Sequence, residues 1–302
     1  MRRPKMMGHF LALITAFVVT LGGATFAGVH IINAVGRQTV TTTTYSMQVG
    51  SVTRQYEVIA STAALPKSAP IIVVLSGAAS TASDEIKRDQ ITPYAAADKA
   101  EVVYPVAIKQ SWNAIGCCDD AAKLNVNDVG FMKALVPKLD PGHTRPIYIV
   151  GFSNGGRLAY RMACTDPTLF DGLAAVKADP MPGCAVTKPM NVIVFSSQND
   201  KYVPFEPGEK GYETPAATVQ IATLEKDLGC STKPTVAKYD QPKTRYGAMT
   251  VSTWSCAHGK TLEWAVDPDG QHGFPNPGAF GAGADQLIYS WITKTPLAPV
   301  PA

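Results

Sequence analysis

The sequence predicts an α/β fold in which a mostly parallel central sheet is covered by helices on both faces. Three observations carry this expectation. Short, wholly apolar runs recur along the chain, segments with helical spacing lie between them, and the composition is that of a chain able to bury a full core. Of 302 residues, 46% are hydrophobic and 17% charged, a mix that excludes intrinsic disorder. Apolar runs without polar alternation suit strands buried on both faces, and strand, helix, strand in repetition predicts parallel crossovers. In such sheets chemistry sits at the carboxyl ends of the strands.

The elements come in order. Residues 1–36 read as an export signal: Arg2, Arg3 and Lys5 precede an uncharged, mostly apolar stretch from Phe10 to about Gly36. At ~1.5 Å per residue that stretch is long enough for a retained anchor across a bilayer of about 30 Å. The small residues of Ala24-Thr25-Phe26-Ala27 suit cleavage after Ala27 instead. Both remain open, and both place the rest of the chain outside the cytoplasm, either secreted or held at the outer face of the cytoplasmic membrane. Thr39 to Thr44 reads as a short stalk, and residues 37–302 as one domain. Tyr45–Ala60 is expected to be a strand pair turning at Gly50-Ser51. Ile71–Leu75, Glu101–Pro105, Ile147–Val150, Gly172–Val176 and Asn191–Phe195 are the apolar strands. Asp128–Val136 carries Val129, Met132, Leu135 and Val136 at helical spacing, with Pro137 as the expected stop. Further helices are expected across Gly156–Cys164, Ala216–Leu228 and Ala284–Thr293, and a hairpin from Met249 to Val266 around His258-Gly259.

Charge and cysteine content narrow the function classes. Lys and Arg exceed Asp and Glu by 27 to 24, and no basic cluster downstream of the leader would track phosphates, so nucleic acid is excluded as a partner. Cys117, Cys118, Cys164, Cys184, Cys230 and Cys256 all lie beyond the leader; an even number in an exported chain points to disulfides, and no zinc-ligand spacing is present. Sequence alone does not select the pairing. Cys230 with Cys256 is the leading pair, closing a loop worth roughly 3 kcal/mol in the chain-entropy model. Adjacent Cys117 and Cys118 either bridge each other or pair elsewhere.

Gly151-Phe152-Ser153-Asn154-Gly155 lies between an apolar strand and a helix, the setting of a nucleophile elbow. Its glycines relieve crowding at a sharp strand-to-helix turn, so that Ser153 projects its hydroxyl from the sheet. A serine hydroxyl needs a base, and the base needs a third group to hold its tautomer. In the α/β-hydrolase order of serine, acid, histidine, only His258 and His272 qualify as base. His258 reads as a solvated hairpin tip, whereas His272 lies in a loop after the last strand. His143 reads as a surface residue. Asp200, after the strand Asn191–Phe195, is the expected acid, ahead of Asp179 and Asp240. Oxyanion donors are expected from the Asn154 N–H and from the loop Ser76-Gly77-Ala78-Ala79, with Ala78 the chosen residue. Trp112, Tyr202 and Phe274 are candidates to line an acyl or aryl pocket, or else to pack in the core.

These stretches resemble the secreted feruloyl esterase and polyhydroxybutyrate depolymerase-like esterases of the α/β-hydrolase superfamily. The resemblance covers nearly the whole chain after the leader. It rests on Trp112-Asn113-Ala114-Ile115-Gly116-Cys117-Cys118, Asp128-Val129-Gly130-Phe131, the strand and elbow from Ile147 to Gly156, Asp200-Lys201-Tyr202-Val203-Pro204 and His272-Gly273-Phe274-Pro275. It implies a serine carboxylic-ester hydrolase with Ser153, Asp200 and His272 as triad, working through an acyl-enzyme on small-molecule, lipid or polymer esters without cofactor or metal. It also favours the Cys230–Cys256 pair. Two departures stand out: Ser76-Gly77 where the family has His-Gly, and Phe274 where it has Trp. Two other functions fit the same residues, acyl transfer to envelope sugars or lipids and a catalytically inactive binding protein. The complete triad in the right order opposes the latter.

Overall fold

A computed structural model describes residues 17–18, 27–33, 39–97, 99–114, 119–180, 183–209, 215–239, 249–275 and 283–295. The expected leader lies mostly outside these residues, as do Cys117, Cys118 and Asp240. Among the described residues twelve strands form one sheet: β1 (Phe17–Val18), β2 (Ala27–Asn33), β3 (Thr39–Val49), β4 (Val52–Ser61), β5 (Ile71–Leu75), β6 (Glu101–Pro105), β7 (Ile147–Phe152), β8 (Gly172–Val176), β9 (Asn191–Ser197), β10 (Thr235–Tyr239), β11 (Met249–Ser255) and β12 (Thr261–Asp267). Their order is β1-β2-β3-β4-β6-β5-β7-β8-β9-β12-β11-β10. The six central strands from β6 to β12 run parallel, and antiparallel strands extend both edges.

Seven helices are described: α1 (Ala82–Asp89), α2 (Thr92–Ala96), α3 (Asp119–Lys123), α4 (Asp128–Leu139), α5 (Asn154–Thr165), α6 (Ala217–Asp227) and α7 (Ala284–Thr293). The alternation of β5 explains why two layers are needed. Ile71, Val73 and Leu75 share one core with Phe131, Met132, Leu158, Met162, Ile221 and Leu224, while Ile72 and Val74 share the other with Ala82, Ala95, Leu287, Ile288 and Trp291. A strand apolar on both faces is stable only between two helical layers, at about 25 cal/mol per Å² of apolar surface removed from water.

Two expectations are corrected. Thr39 to Thr44 is no stalk but the first half of β3, paired with β4 and with β2. Threonine is β-branched, and a run of it favours extended, paired backbone. Pro137 does not stop its helix; it sits inside the last turn of α4, which ends at Leu139, where the proline forgoes a single intrahelical bond. In the leader, residues 27–33 form β2. Among the described residues no helix is long and apolar enough to cross a membrane.

One buried ion pair ties the antiparallel edge to the helical layer. Arg54 on β4 donates to Asp128 at the start of α4 at 2.7 Å, both side chains being almost wholly buried. The other Asp128 oxygen accepts the Asn113 N–H at 2.7 Å, and the guanidinium lies over the Phe131 ring, 4.1 Å from its centroid. Burial draws both ionisations toward neutrality, and each partner's charge opposes that. Arg54→Met should therefore cost about 3–5 kcal/mol by stranding a buried carboxylate. Urea unfolding measures this, and a loss under about 1 kcal/mol would show that the pair contributes little.

Candidate active site

The turn from β7 into α5 is built around close backbone contact. A Cβ on Gly155 would overlap the carbonyl oxygens of Leu75 and Ser76, and one on Gly151 would overlap the backbone of Gly155 and Gly156. The elbow thus lies directly on the end of β5. Ser153, between them, has φ 51° and ψ −120°, a conformation costly for a residue with a side chain. Its N–H donates to the Val176 carbonyl at 2.9 Å, which locks the turn to β8.

The three side chains selected from the sequence meet here. Ser153 Oγ lies 2.8 Å from His272 Nε2, and His272 Nδ1 lies 3.0 and 2.9 Å from the two carboxylate oxygens of Asp200. Asp200 lies just beyond β9; its Oδ1 also accepts the N–H groups of Tyr202 at 2.8 Å and Val203 at 3.1 Å. Burial pushes the Asp200 carboxyl upward, but the hydrogen bond and charge of His272 and the two backbone donors outweigh it, leaving it below the ordinary carboxylate range. Asp200 therefore stays ionised and keeps the imidazole oriented through Nδ1. His272 itself sits beyond a turn organised by Asp267 at the end of β12, which accepts the N–H groups of Asp269 at 3.2 Å and Gly270 at 2.9 Å.

The remaining candidates divide. The Asn154 N–H opens α5, and among the described residues no hydrogen bond occupies it or the Ala78 N–H, whereas the Gly77 N–H is taken by the Glu85 carboxylate at 3.3 Å. Tyr202 is half exposed, its ring centroid 4.8 Å from that of His272. Phe274 is buried against Phe152, with centroids 6.4 Å apart. Trp112 leaves no surface for a ligand: it is 0% exposed, and its indole N–H donates to the Ser76 carbonyl at 2.9 Å. A buried indole needs a hydrogen-bond acceptor, and the loop after β5 supplies it. The Asn154 side chain grips the Trp112 backbone from both sides, accepting at 2.7 Å and donating at 3.1 Å.

Of the rival residues, Asp179 is engaged by the Arg157 guanidinium at 3.1 and 2.8 Å. His258 is exposed at the hairpin tip, and His143 pairs with Asp171 at 3.0 Å on the surface. Cys230 pairs with Cys256, and Cys164 with Cys184, a bridge the sequence did not single out.

Sequence reasoning missed two residues beneath the site. Glu85 on α1 holds the Gly77 N–H and accepts from Arg88 at 2.6 Å, and Arg88 also donates to Ser80 at 3.0 Å and covers the Phe152 ring. The signal was present: Thr81-Ala82-Ser83-Asp84 is a capping box that announces α1 directly after the candidate oxyanion loop.

Comparison with known proteins agrees with this architecture. No family model matches the chain. It is 31% identical over 211 residues to "Putative esterase NocK" of Nocardia uniformis subsp. tsuyamanensis, covering 66% of this chain and 59% of that protein. The chain thus spans less than two thirds of the length of this curated relative. Among solved structures, acetyl xylan esterase from Aspergillus awamori superposes with a TM-score of 0.55 at 12% identity, covering 83% of this chain and 98% of that one. Native sOPH superposes with a TM-score of 0.54 at 14% identity, covering 84% and 87%. The protein has the α/β-hydrolase fold.

Gly155→Ala should destabilise the protein by about 1–3 kcal/mol, because rigid carbonyls block the added methyl group. Gly273→Ala, where nothing lies within 4 Å of the added Cβ, should stay within about 0.5 kcal/mol of the parent. Thermal unfolding of the two variants side by side checks the contrast; equal losses would mean that the elbow can give.

Proposed function

We propose that the chain is a serine carboxylic-ester hydrolase that works through an acyl-enzyme, with Ser153 as nucleophile, His272 as general base and acid, and Asp200 as the carboxylate that orients the base. The observation that carries this reading is the unbroken hydrogen-bonded series from Ser153 Oγ through both nitrogens of His272 to Asp200. The names of NocK and of the acetyl xylan esterase support the same class.

Ser153 Oγ attacks the ester carbonyl carbon as its proton passes to His272 Nε2. The negative charge gathers on the former carbonyl oxygen, where the Ala78 and Asn154 N–H groups would receive it, the latter with the positive end of α5 behind it. Both donors need to be free for this role, which is why the engagement of Gly77 by Glu85 matters: it leaves Ala78 as the donor in its loop. Collapse expels the alcohol, which takes the proton from His272. Water then attacks the acyl-enzyme with His272 as base, releasing the acid and restoring Ser153. Throughout, Asp200 stabilises the imidazolium without itself being protonated.

The substrate side is shaped by Tyr202, half exposed beside the base. We place feruloyl-type and hydroxyalkanoate esters first among substrates, since an aromatic or apolar acyl group can lie on that ring. Phe274, buried against Phe152, acts as a wall behind the base.

Hydrolysis of p-nitrophenyl esters and labelling by a fluorophosphonate probe test the mechanism. The native protein should do both. Ser153→Ala should abolish labelling and lower turnover by about 10³-fold or more, and Asp200→Asn should lower kcat by about 10⁴-fold with the fold intact. A folded native protein that neither turns over ester nor labels would overturn the hydrolase reading.

A further inference from the structure

The loop after β5 is fastened along its length and open at one place. The Ser76 carbonyl accepts the Trp112 indole N–H at 2.9 Å, and the Gly77 N–H donates to Glu85 Oε2 at 3.3 Å. Further on, the Ala79 N–H donates to the Gln110 carbonyl at 2.9 Å, and the Ser80 hydroxyl accepts from Arg88 at 3.0 Å. Between these anchors stands Ala78, half-buried, whose N–H makes no hydrogen bond among the described residues. Ala79 is left-handed, with φ 56°. A planar peptide whose neighbours on both sides are tethered has its direction set, so the anchors decide where the Ala78 N–H points. The loop also lies directly against the nucleophile: a Cβ on Gly77 would come 2.8 Å from the Phe152 ring and 3.6 Å from Ser153 Cβ.

The anchors at Gly77 and Ser80 both come from one turn of α1. Glu85 is 0% exposed, and its Oε2 accepts the Gly77 N–H and also Arg88 at 2.6 Å. Arg88 reaches Ser80 with its other terminal nitrogen and lies over the Phe152 ring, 5.1 Å from its centroid. The helix that carries the pair is itself fixed to the loop, since Thr81 follows Ser80 and exchanges hydrogen bonds with Asp84 at 3.1 and 3.0 Å. One ion pair therefore grips both ends of the segment 77–80 and the residue before Ser153. Ion pairs of this kind add little net stability compared with apolar packing, so what distinguishes this one is where it holds the backbone.

We propose that Glu85 and Arg88 are positioning residues of the oxyanion site: together they aim the Ala78 N–H at the oxygen that becomes negative when Ser153 attacks. The inference rests on the proposed Ser153, His272 and Asp200 mechanism with Ala78 as a donor. Neither side chain touches substrate. Glu85 removes the Gly77 N–H from competition and holds the peptide that carries the Ala78 N–H. Arg88 fixes the far end of the segment and balances the carboxylate, so that no unpaired negative charge lies close to a developing oxyanion. Donors held in place before the reaction need no reorganisation during it, which is the source of their effect on rate.

The test is steady-state hydrolysis of p-nitrophenyl acetate and inhibition by trifluoroacetone, whose adduct with Ser153 places an anionic oxygen where the tetrahedral intermediate has it; circular dichroism checks folding. Glu85→Leu should lower kcat and kcat/KM alike by about 10–100-fold, the pattern of an interaction made only in the transition state, and weaken trifluoroacetone by a similar factor. Glu85→Gln, whose amide oxygen still accepts the Gly77 N–H, should recover most of the loss. Arg88→Met, at a side chain partly open to solvent, should act in the same direction by less. A residue that only stabilised the fold would leave kcat and the inhibition constant of a folded Glu85→Leu at native values, and that outcome overturns the proposal, as does a Glu85→Gln as impaired as Glu85→Leu. If Glu85→Leu does not fold, Arg88→Met decides alone, and native kcat and inhibition in it overturn the role. A native protein that neither hydrolyses the ester nor labels with fluorophosphonate removes the hydrolase reading and this role together.

Discussion

The arrangement depends first on how closely the elbow backbone approaches β5. Peptide groups of Gly155 rest against the carbonyls of Leu75 and Ser76 with no room for a side chain. That contact aligns the start of α5 with the end of β5, the two places from which the candidate oxyanion donors come. It also forces the strained backbone of Ser153, whose cost is met by the Val176 hydrogen bond and by the largely buried helix that begins at Asn154. The Trp112 indole and the Asn154 amide then close the same junction from the side. Precise placement of one hydroxyl is thus achieved by rigid backbone packing rather than by loop contacts.

Local chemistry explains which parts can be read from the sequence. Gly172–Val176, Ile71–Leu75 and Ala284–Thr293 occur with the bounds expected, because short apolar runs and an amphipathic period are properties of the segment itself. Ser153, His272 and Asp200 stand out by their places at strand ends, which the parallel order of the sheet brings to one edge. Trp112 is ambiguous in sequence because aromatic residues serve equally in pockets and cores, and only the position of the Ser76 carbonyl decides between them. For Glu85 the capping box at Thr81 announces the helix, but that its carboxylate reaches back to the Gly77 N–H depends on how the loop after β5 folds over α1, which the sequence does not specify. In the Thr-rich run, β-branching rather than polar composition carries the structural information.

Buried charge is distributed in the same spirit. Arg54 meets Asp128 where the antiparallel edge joins α4, and Arg157 meets Asp179 where α5 passes the end of β8. Each set joins elements distant in sequence. Such pairs add little net stability compared with apolar packing, but a shifted register would strand a charge in the core. They act here as markers of correct alignment between layers whose apolar contacts alone would tolerate sliding.

The two disulfides among the described residues have a bearing on durability. Cys164 lies in the last turn of α5 and Cys256 precedes β12, so both bridges lie toward the starts of the parallel strands, away from the end that carries Ser153 and His272. They close segments separated by 20 and 26 residues, each limiting the freedom of the unfolded chain. Cutting these two bridges would therefore loosen the chain first at the end of the sheet opposite Ser153 and His272.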